Sequence, residues 1–227
     1  MSTFALSLAI FGIAALHVLP EPTLMASTGA RVAYDPTLNF LSEYVRTQYG
    51  ALMTANFVLL AIAGGALGCA LDAVGLRREA RFMWSAGGVL MLLALLPTDL
   101  ADFRTDLSTC HDPARIEPCT WVGRIHDFLP NFAFGFIALV VGSLSRRVDW
   151  RPVAKKGAWC AAIAVALALA SHFYVALKHP HVERIWVGLM QRSVVGAALL
   201  WMAMLLAELR RRSIHVRCRK CSSQARY

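Results

Sequence analysis

Six apolar stretches, residues 3–19, 49–74, 82–96, 125–143, 153–177 and 185–209, take up most of the chain. A helix crosses the hydrocarbon of a bilayer with about 20 apolar residues at roughly 1.5 Å each, and fewer suffice where helix ends stretch or the bilayer thins. The third stretch is the shortest. With 57% hydrophobic and 16% charged residues and a mean hydropathy of +0.52, the sequence lies outside the range of soluble domains. The expected fold is therefore all-α, a polytopic transmembrane bundle of six helices.

The basic residues orient it. Fifteen Lys and Arg fall on one side: Arg77, Arg78 and Arg81, then the cluster from Arg146 to Lys156, then the tail from Arg210 to Arg226. Seven fall in the opposite loops: Arg31, Arg46, Arg104, Arg115, Arg124, Lys178 and Arg184. The positive-inside rule then predicts both termini in the cytoplasm. Residues 1–209 read as one six-helix domain and residues 210–227 as a short basic tail. The formal charge of +9 is a topology signal with some attraction to anionic lipid, and nucleic acid is not an expected partner. The first stretch also has to be weighed as a cleaved signal peptide, but Met1-Ser2-Thr3 lacks the basic start such a peptide carries.

On this topology the ionisable residues gather toward the outer leaflet. His17 lies near the outer end of helix 1, Asp99 just past helix 3, and His126 and Asp127 at the start of helix 4. His172 falls inside the outer end of helix 5, Glu183 and Arg184 open helix 6, and Arg192 sits two turns deeper. A charge in hydrocarbon costs a few kcal/mol on insertion scales, so it pairs, faces a wet cavity or snorkels. Arg192 is the deepest, with Asp99 or Glu183 as its expected acidic partner. Residues at helix ends escape most of that cost, so Asp99, His126 and Arg184 also have a plain interfacial reading. A lone histidine on an apolar helix, as at His17 and His172, is more often a packed residue than a ligand.

Proline shifts the balance at "LLALLPTDL". Pro97 disfavours helix at Leu96 and cannot donate, so the chain is predicted to stop or kink there and hold Thr98 and Asp99 at the outer interface. Pro130, one turn into helix 4, similarly fixes the angle of His126 and Asp127. Gly64 and Gly68 have the GxxxG spacing for close helix packing. Cys110 and Cys119 share an outer loop and are the expected disulfide, worth roughly 2–3 kcal/mol if unstrained. Cys218 and Cys221 form half a zinc motif in the tail, and Cys69 and Cys160 read as buried packing residues.

Taken in order, "LSEYVRTQYGALMTANF", "LLALLPTDL", "RIHDF" and "VERIWVGL" resemble an uncharacterised bacterial membrane family, domain of unknown function (DUF) 998. The resemblance spans the chain from about helix 1 to helix 6. It implies a shared outer-face constellation of Ser42, Glu43 and Tyr44, then Pro97, Thr98 and Asp99, His126, and Glu183 with Arg184. The loop holding Cys110 and Cys119 is longer than that pattern implies. No reaction comes with the resemblance.

Two function classes follow. In the first, an intramembrane hydrolase-like enzyme acts on a lipid or other apolar substrate. Asp99 and His126 are then the acid–base pair, Ser42 a polarising hydroxyl, and Glu183, Arg184 and Arg192 the substrate-binding groups. His17, Asp99, His126 and His172 could alternatively ligate a metal, zinc by composition. In the second, the same residues form a network in a non-catalytic binder or carrier of lipid or a small apolar molecule, or in a purely structural membrane protein. Polar residues are scarce at the midplane, which disfavours a conduction path.

Overall fold

The computed structural model describes residues 2–20, 22–27, 29, 31–36, 39–100, 120–178 and 187–224. Its tightest helix seam is made by glycine. α2 (Gly50–Ala73) and α3 (Arg77–Leu95) are joined by a turn in which Gly75 takes φ 82°, a left-handed conformation that ends a helix cheaply without a Cβ. Along the seam, a Cβ on Gly64 would lie 3.3 Å from the Gly87 Cα, and one on Gly87 would lie 2.9 Å from the Ala61 carbonyl oxygen. Gly68 lies against the indole of Trp84, whose Nε1 donates to the Gly65 carbonyl at 3.2 Å. The GxxxG spacing read from the sequence is therefore the face on which α2 meets α3.

The remaining helices are α1 (Ser2–Leu16), α4 (Trp121–Ser145), α5 (Arg151–Lys178) and α6 (Val187–Gln224). They pack in chain order, and α6 returns to touch α1. Each successive helix reverses direction, which gives the bundle two faces. The loop face carries the ends of α1, α3 and α5. The turn face carries the α2–α3 turn and a 3-10 turn, Val148–Trp150, that leads into α5. One buried cluster, with Leu67, Met83, Leu144 and Leu205, fills the turn-face half. A second, with Leu16, Tyr44, Met53, Phe57 and Leu129, fills the loop-face half.

Three helical spans among the described residues are long and apolar enough to cross a membrane: Gly50–Ala73, Trp121–Ser145 and Gly188–Arg212. Large apolar side chains point outward all round, Phe11 at 71% exposure and Phe128 at 68% among them. A water-facing surface would not tolerate this, so the fold is an all-α membrane protein. Helix limits depart from the apolar stretches where polar residues continue a helix. α3 begins at Arg77 instead of residue 82, and α6 runs on to Gln224 through the basic tail. At 38 residues α6 is about 57 Å long, well beyond the roughly 30 Å of hydrocarbon. α1 stops at Leu16, ahead of Pro20.

The connection from α1 to α2 holds structure that hydropathy does not announce. β1 (Thr23–Met25) pairs antiparallel with β2 (Arg31–Ala33), and a 3-10 segment, Leu41–Arg46, lies across the loop face with Leu41, Ser42, Glu43 and Tyr44 buried. At the turn face, Glu79 is fully buried and accepts from the Ser143 hydroxyl at 2.7 Å and from Arg147 Nε at 3.0 Å, tying α3 to the end of α4. Burial alone would raise the Glu79 carboxyl. The Ser143 hydroxyl, a backbone N–H and Arg147 together hold it below the usual carboxylate range. Of the cysteines expected to be packed, Cys160 is buried, whereas Cys69 is exposed on α2.

Candidate functional site

The loop-face polar residues sort into two separate assemblies and one groove. The first assembly is centred on Arg192, in the second turn of α6. Its Nη1 donates to the carbonyls of Asn39 and Gly188, each at 2.9 Å, and its Nη2 donates to the Tyr34 hydroxyl. Its Nε donates to His17 Nε2 at 3.0 Å. Because His17 Nε2 must accept there, Nδ1 carries the ring proton and donates to the Ile13 carbonyl at 2.8 Å. The guanidinium also lies 5.7 Å from the Tyr34 ring, which stacks tilted on Tyr44 at 4.2 Å.

The chain order explains why these groups meet. The 3-10 segment turns Glu43 inward, where its Oε2 accepts from Asn39 Nδ2 and from the Phe40 N–H, each at 2.9 Å. Asn39 thereby joins a buried carboxylate, through its amide, to a guanidinium, through its carbonyl. Tyr44 donates to the Leu16 carbonyl at the end of α1 (3.1 Å), and Gln191 accepts from the Leu41 N–H at 2.6 Å. The segment is thus pinned to α1 and to α6. Burial pushes the Tyr34 and Tyr44 phenols above the ordinary tyrosine range while Arg192 pulls against it, so both remain neutral hydroxyls. Among the described residues, Arg192 meets only neutral partners.

The second assembly answers why an apolar helix ends in Pro-Thr-Asp. α3 stops at Leu95, and the three residues that follow Leu96 form a strap each end of which is fastened. The Leu96 carbonyl lies 2.8 Å from His126 Nδ1, the Thr98 carbonyl accepts from Arg46 Nη1 at 2.9 Å, and the Asp99 carboxylate caps α4. Asp99 Oδ1 accepts from the Thr120 hydroxyl at 2.9 Å and Oδ2 from the Thr120 N–H, while the Thr120 hydroxyl accepts from the Gly123 N–H at 2.9 Å. A carboxylate here meets the positive end of the α4 dipole and its unpaired N–H groups. The fit is close: a Cβ on Gly123 would fall 2.1 Å from the Asp99 carboxyl. His126 is buried on the same stripe of α4 as Gly123, Leu129 and Ala133, edge-on to Phe57 at 6.4 Å, and its Nε2 has no hydrogen-bond partner among the described residues.

Between the helices, a groove of about 310 Å³ is walled by α4, α5 and α6. Its lining is apolar, much of it from small residues such as Gly157, Ala161 and Ala197, with Trp201 at its turn-face end. A second hollow of about 260 Å³, between α5 and α6, shares Cys160, Ala164 and Ala197 with it as wall residues and has Ser193 and Arg192 in its own lining. A smaller apolar cavity of about 70 Å³ lies among α2, α3, α4 and α6, with Ser42 and Gln191 in its wall.

Of the residues singled out in the sequence, His17 and Arg192 come together, with Ser42 in the segment beside them. Asp99 and His126 lie in the strap assembly and face different partners. Arg192 takes tyrosine, histidine and carbonyl partners and not Asp99, while Glu183, the other acid expected to pair with it, lies outside the described residues. Among the described residues, no three His, Cys, Asp or Glu side chains converge as metal ligands, so His17, Asp99 and His126 do not form the zinc set considered above. Glu183, Arg184, Cys110 and Cys119 lie outside the described residues, as does the side chain of His172. Tyr34, Asn39 and Gln191 were not anticipated. The available signal was the deep Arg192, which must find acceptors for five N–H groups.

A family model described as "Protein of unknown function (DUF998)" matches residues 5–208. No curated protein and no solved structure shows significant similarity to the chain.

Proposed function

The chain belongs to the DUF998 family of proteins of unknown function, and from that premise we propose that it is a non-catalytic binder of a lipid-like apolar molecule. In this reading it spans a bacterial inner membrane six times with both termini in the cytoplasm, so that the loop face is the outer face. The observation that carries the proposal is the apolar groove of about 310 Å³ between α4, α5 and α6, at the lower end of the volumes that hold small-molecule ligands. Small residues leave room there that the neighbouring helices do not fill. Cys160, Ala164 and Ala197 of its wall also line the hollow that reaches Arg192.

The bonding at Asp99 and His126 favours binding over hydrolysis. General acid–base catalysis needs a carboxylate or imidazole within hydrogen-bond reach of a substrate proton. Asp99 instead spends both carboxylate oxygens on the start of α4, and His126, whose Nδ1 meets the Leu96 carbonyl, keeps Nε2 buried where no described hydrogen-bond partner reaches it.

The test is retention of ligand through purification in mild detergent, with mass spectrometry of what remains bound. The unmodified chain is expected to keep a stoichiometric lipid-like molecule, and Ala197→Phe, which puts a large side chain into the wall shared by the groove and the hollow, is expected to lose it. Equal retention by a folded Ala197→Phe variant would rule the groove out.

A further inference from the structure

We infer that the hollow beside this groove takes an anionic phospholipid, with its phosphate at Arg192 and an acyl chain running along α6 toward Leu200. This rests on the groove's being a lipid site, as proposed above, and adds the class of headgroup. Three observations converge on it.

The first is polarity along the hollow. Among the described residues that line the hollow, Ile163, Ala164, Ala197 and Leu200 are apolar, and Arg192 with Ser193 stands toward its loop-face end. An amphiphile has that same division. The second is depth. Arg192 lies seven residues into the apolar stretch 185–209, about 10 Å along the helix, and its side chain turns back to the Gly188 carbonyl, toward the interface of the adjacent leaflet. The eight residues from Arg192 to Leu200 span about 12 Å, room for the upper part of an acyl chain.

The third is charge complementarity. The partners of Arg192 among the described residues are the His17 ring nitrogen, tyrosine hydroxyl and two carbonyls, all of them neutral. Glu43 is reached at one remove, through Asn39. An arginine surrounded by neutral acceptors still attracts an anionic oxygen, and the guanidinium fork matches phosphate geometry. His17 is the exposed member of the set, so it is the acceptor that a phosphate oxygen would replace on Nε–H.

The experiment is thermal unfolding of the full chain in mild detergent, titrated with phosphatidylglycerol, with phosphatidylcholine of the same acyl chains, and with a free fatty acid. Phosphatidylglycerol is expected to raise the melting temperature saturably, at a half-maximal concentration about fivefold below that of phosphatidylcholine, with the preference shrinking in high salt. In Arg192→Gln the two phospholipids should become equal, and in Ala197→Phe neither should act.

Equal effects of the two phospholipids on the unmodified chain, both lost in Ala197→Phe, would overturn the headgroup assignment and leave the groove a lipid site. A fatty acid acting as strongly as phosphatidylglycerol would replace the phosphate by a carboxylate and overturn the phospholipid. No effect of any lipid, or effects that persist in Ala197→Phe, would overturn the groove itself. If Arg192→Gln does not fold, the lipid comparison on the unmodified chain still decides.

Discussion

Glu79 at the turn face and Arg192 at the loop face are both charges within the helix bundle, and the fold treats them in opposite ways. Glu79 is fully buried and has a cation against it, Arg147, together with the Ser143 hydroxyl. Arg192 is only partly buried and is held by a histidine, a tyrosine and two carbonyls. The first charge is closed within the protein. The second has its hydrogen bonds satisfied while its field stays open to an anion. If Arg192 binds an anion as proposed, a structural charge and a binding charge differ in the formal charge of their partners more than in how many hydrogen bonds they make.

That contrast predicts unequal losses. Removing a partner from Glu79 strands a carboxylate, whereas removing Arg192 strands neutral groups that can turn to water. Arg147→Ala is expected to be the most costly change, about 3 kcal/mol, at the low end for a broken buried pair because Arg147 is half exposed. Unfolding in detergent or in mixed micelles reads it. The pH dependence follows in sign. The folded Glu79 carboxyl titrates below its unfolded counterpart, so its stabilisation is complete above the ordinary carboxylate pKa of 4.5. It is lost as pH falls through the lower, folded value. Melting temperature should therefore drop between pH 5 and the acid limit of the protein, and Glu79→Gln should flatten that drop. A variant with Arg147→Ala that melts like the unmodified chain would dissolve the contrast.

Next in size is Gly123→Ala. Its Cβ would fall 2.1 Å from the Asp99 carboxyl, so either the strap or the first turn of α4 must move. Overpacking of this kind costs about 1–3 kcal/mol. Arg192→Gln is expected to cost less, about 1–2 kcal/mol, because its partners are neutral. Arg192→Lys should recover charge but not the fork that spans Asn39, Tyr34 and His17. If Arg192→Gln proves as damaging as Arg147→Ala, Arg192 is a structural charge after all.

The sequence made the helices legible and left the contacts of the loop face obscure, for reasons that particular residues show. Hydropathy marks α2 and α4 because lipid demands long apolar runs. It does not say which side of α2 is buried, since a helix apolar all round has no polar stripe to read. Gly64 and Gly68 were readable because close packing depends on their size alone. β1, β2 and the segment Leu41–Arg46 lie outside the apolar runs, and their buried polar residues become intelligible only with their partners. Glu43 and Asn39 are buried because each satisfies the other. Arg192 was identified as needing a partner, but a search for an opposite charge pointed to Asp99, while tyrosine and carbonyl oxygens made the contacts.

Asp99 provides the smallest effect and the sharpest test of where the closed and open classes divide. It is a carboxylate whose partners, the Thr120 N–H and hydroxyl, are neutral. By the rule drawn from Arg192 it would be an open charge, except that those donors belong to the start of α4, whose dipole supplies the positive partner. Asp99→Asn preserves the shape, keeps one acceptor, and gives up the charge on the dipole and one hydrogen bond, together about 1 kcal/mol. The expected result is a melting temperature lower by a few degrees in detergent with bound lipid unchanged, measured on the same sample. Unchanged melting with lipid lost would move Asp99 from the cap of α4 into the binding site. The partner's formal charge would then no longer separate the two classes, because a charge satisfied by a helix end would have proved as open as Arg192.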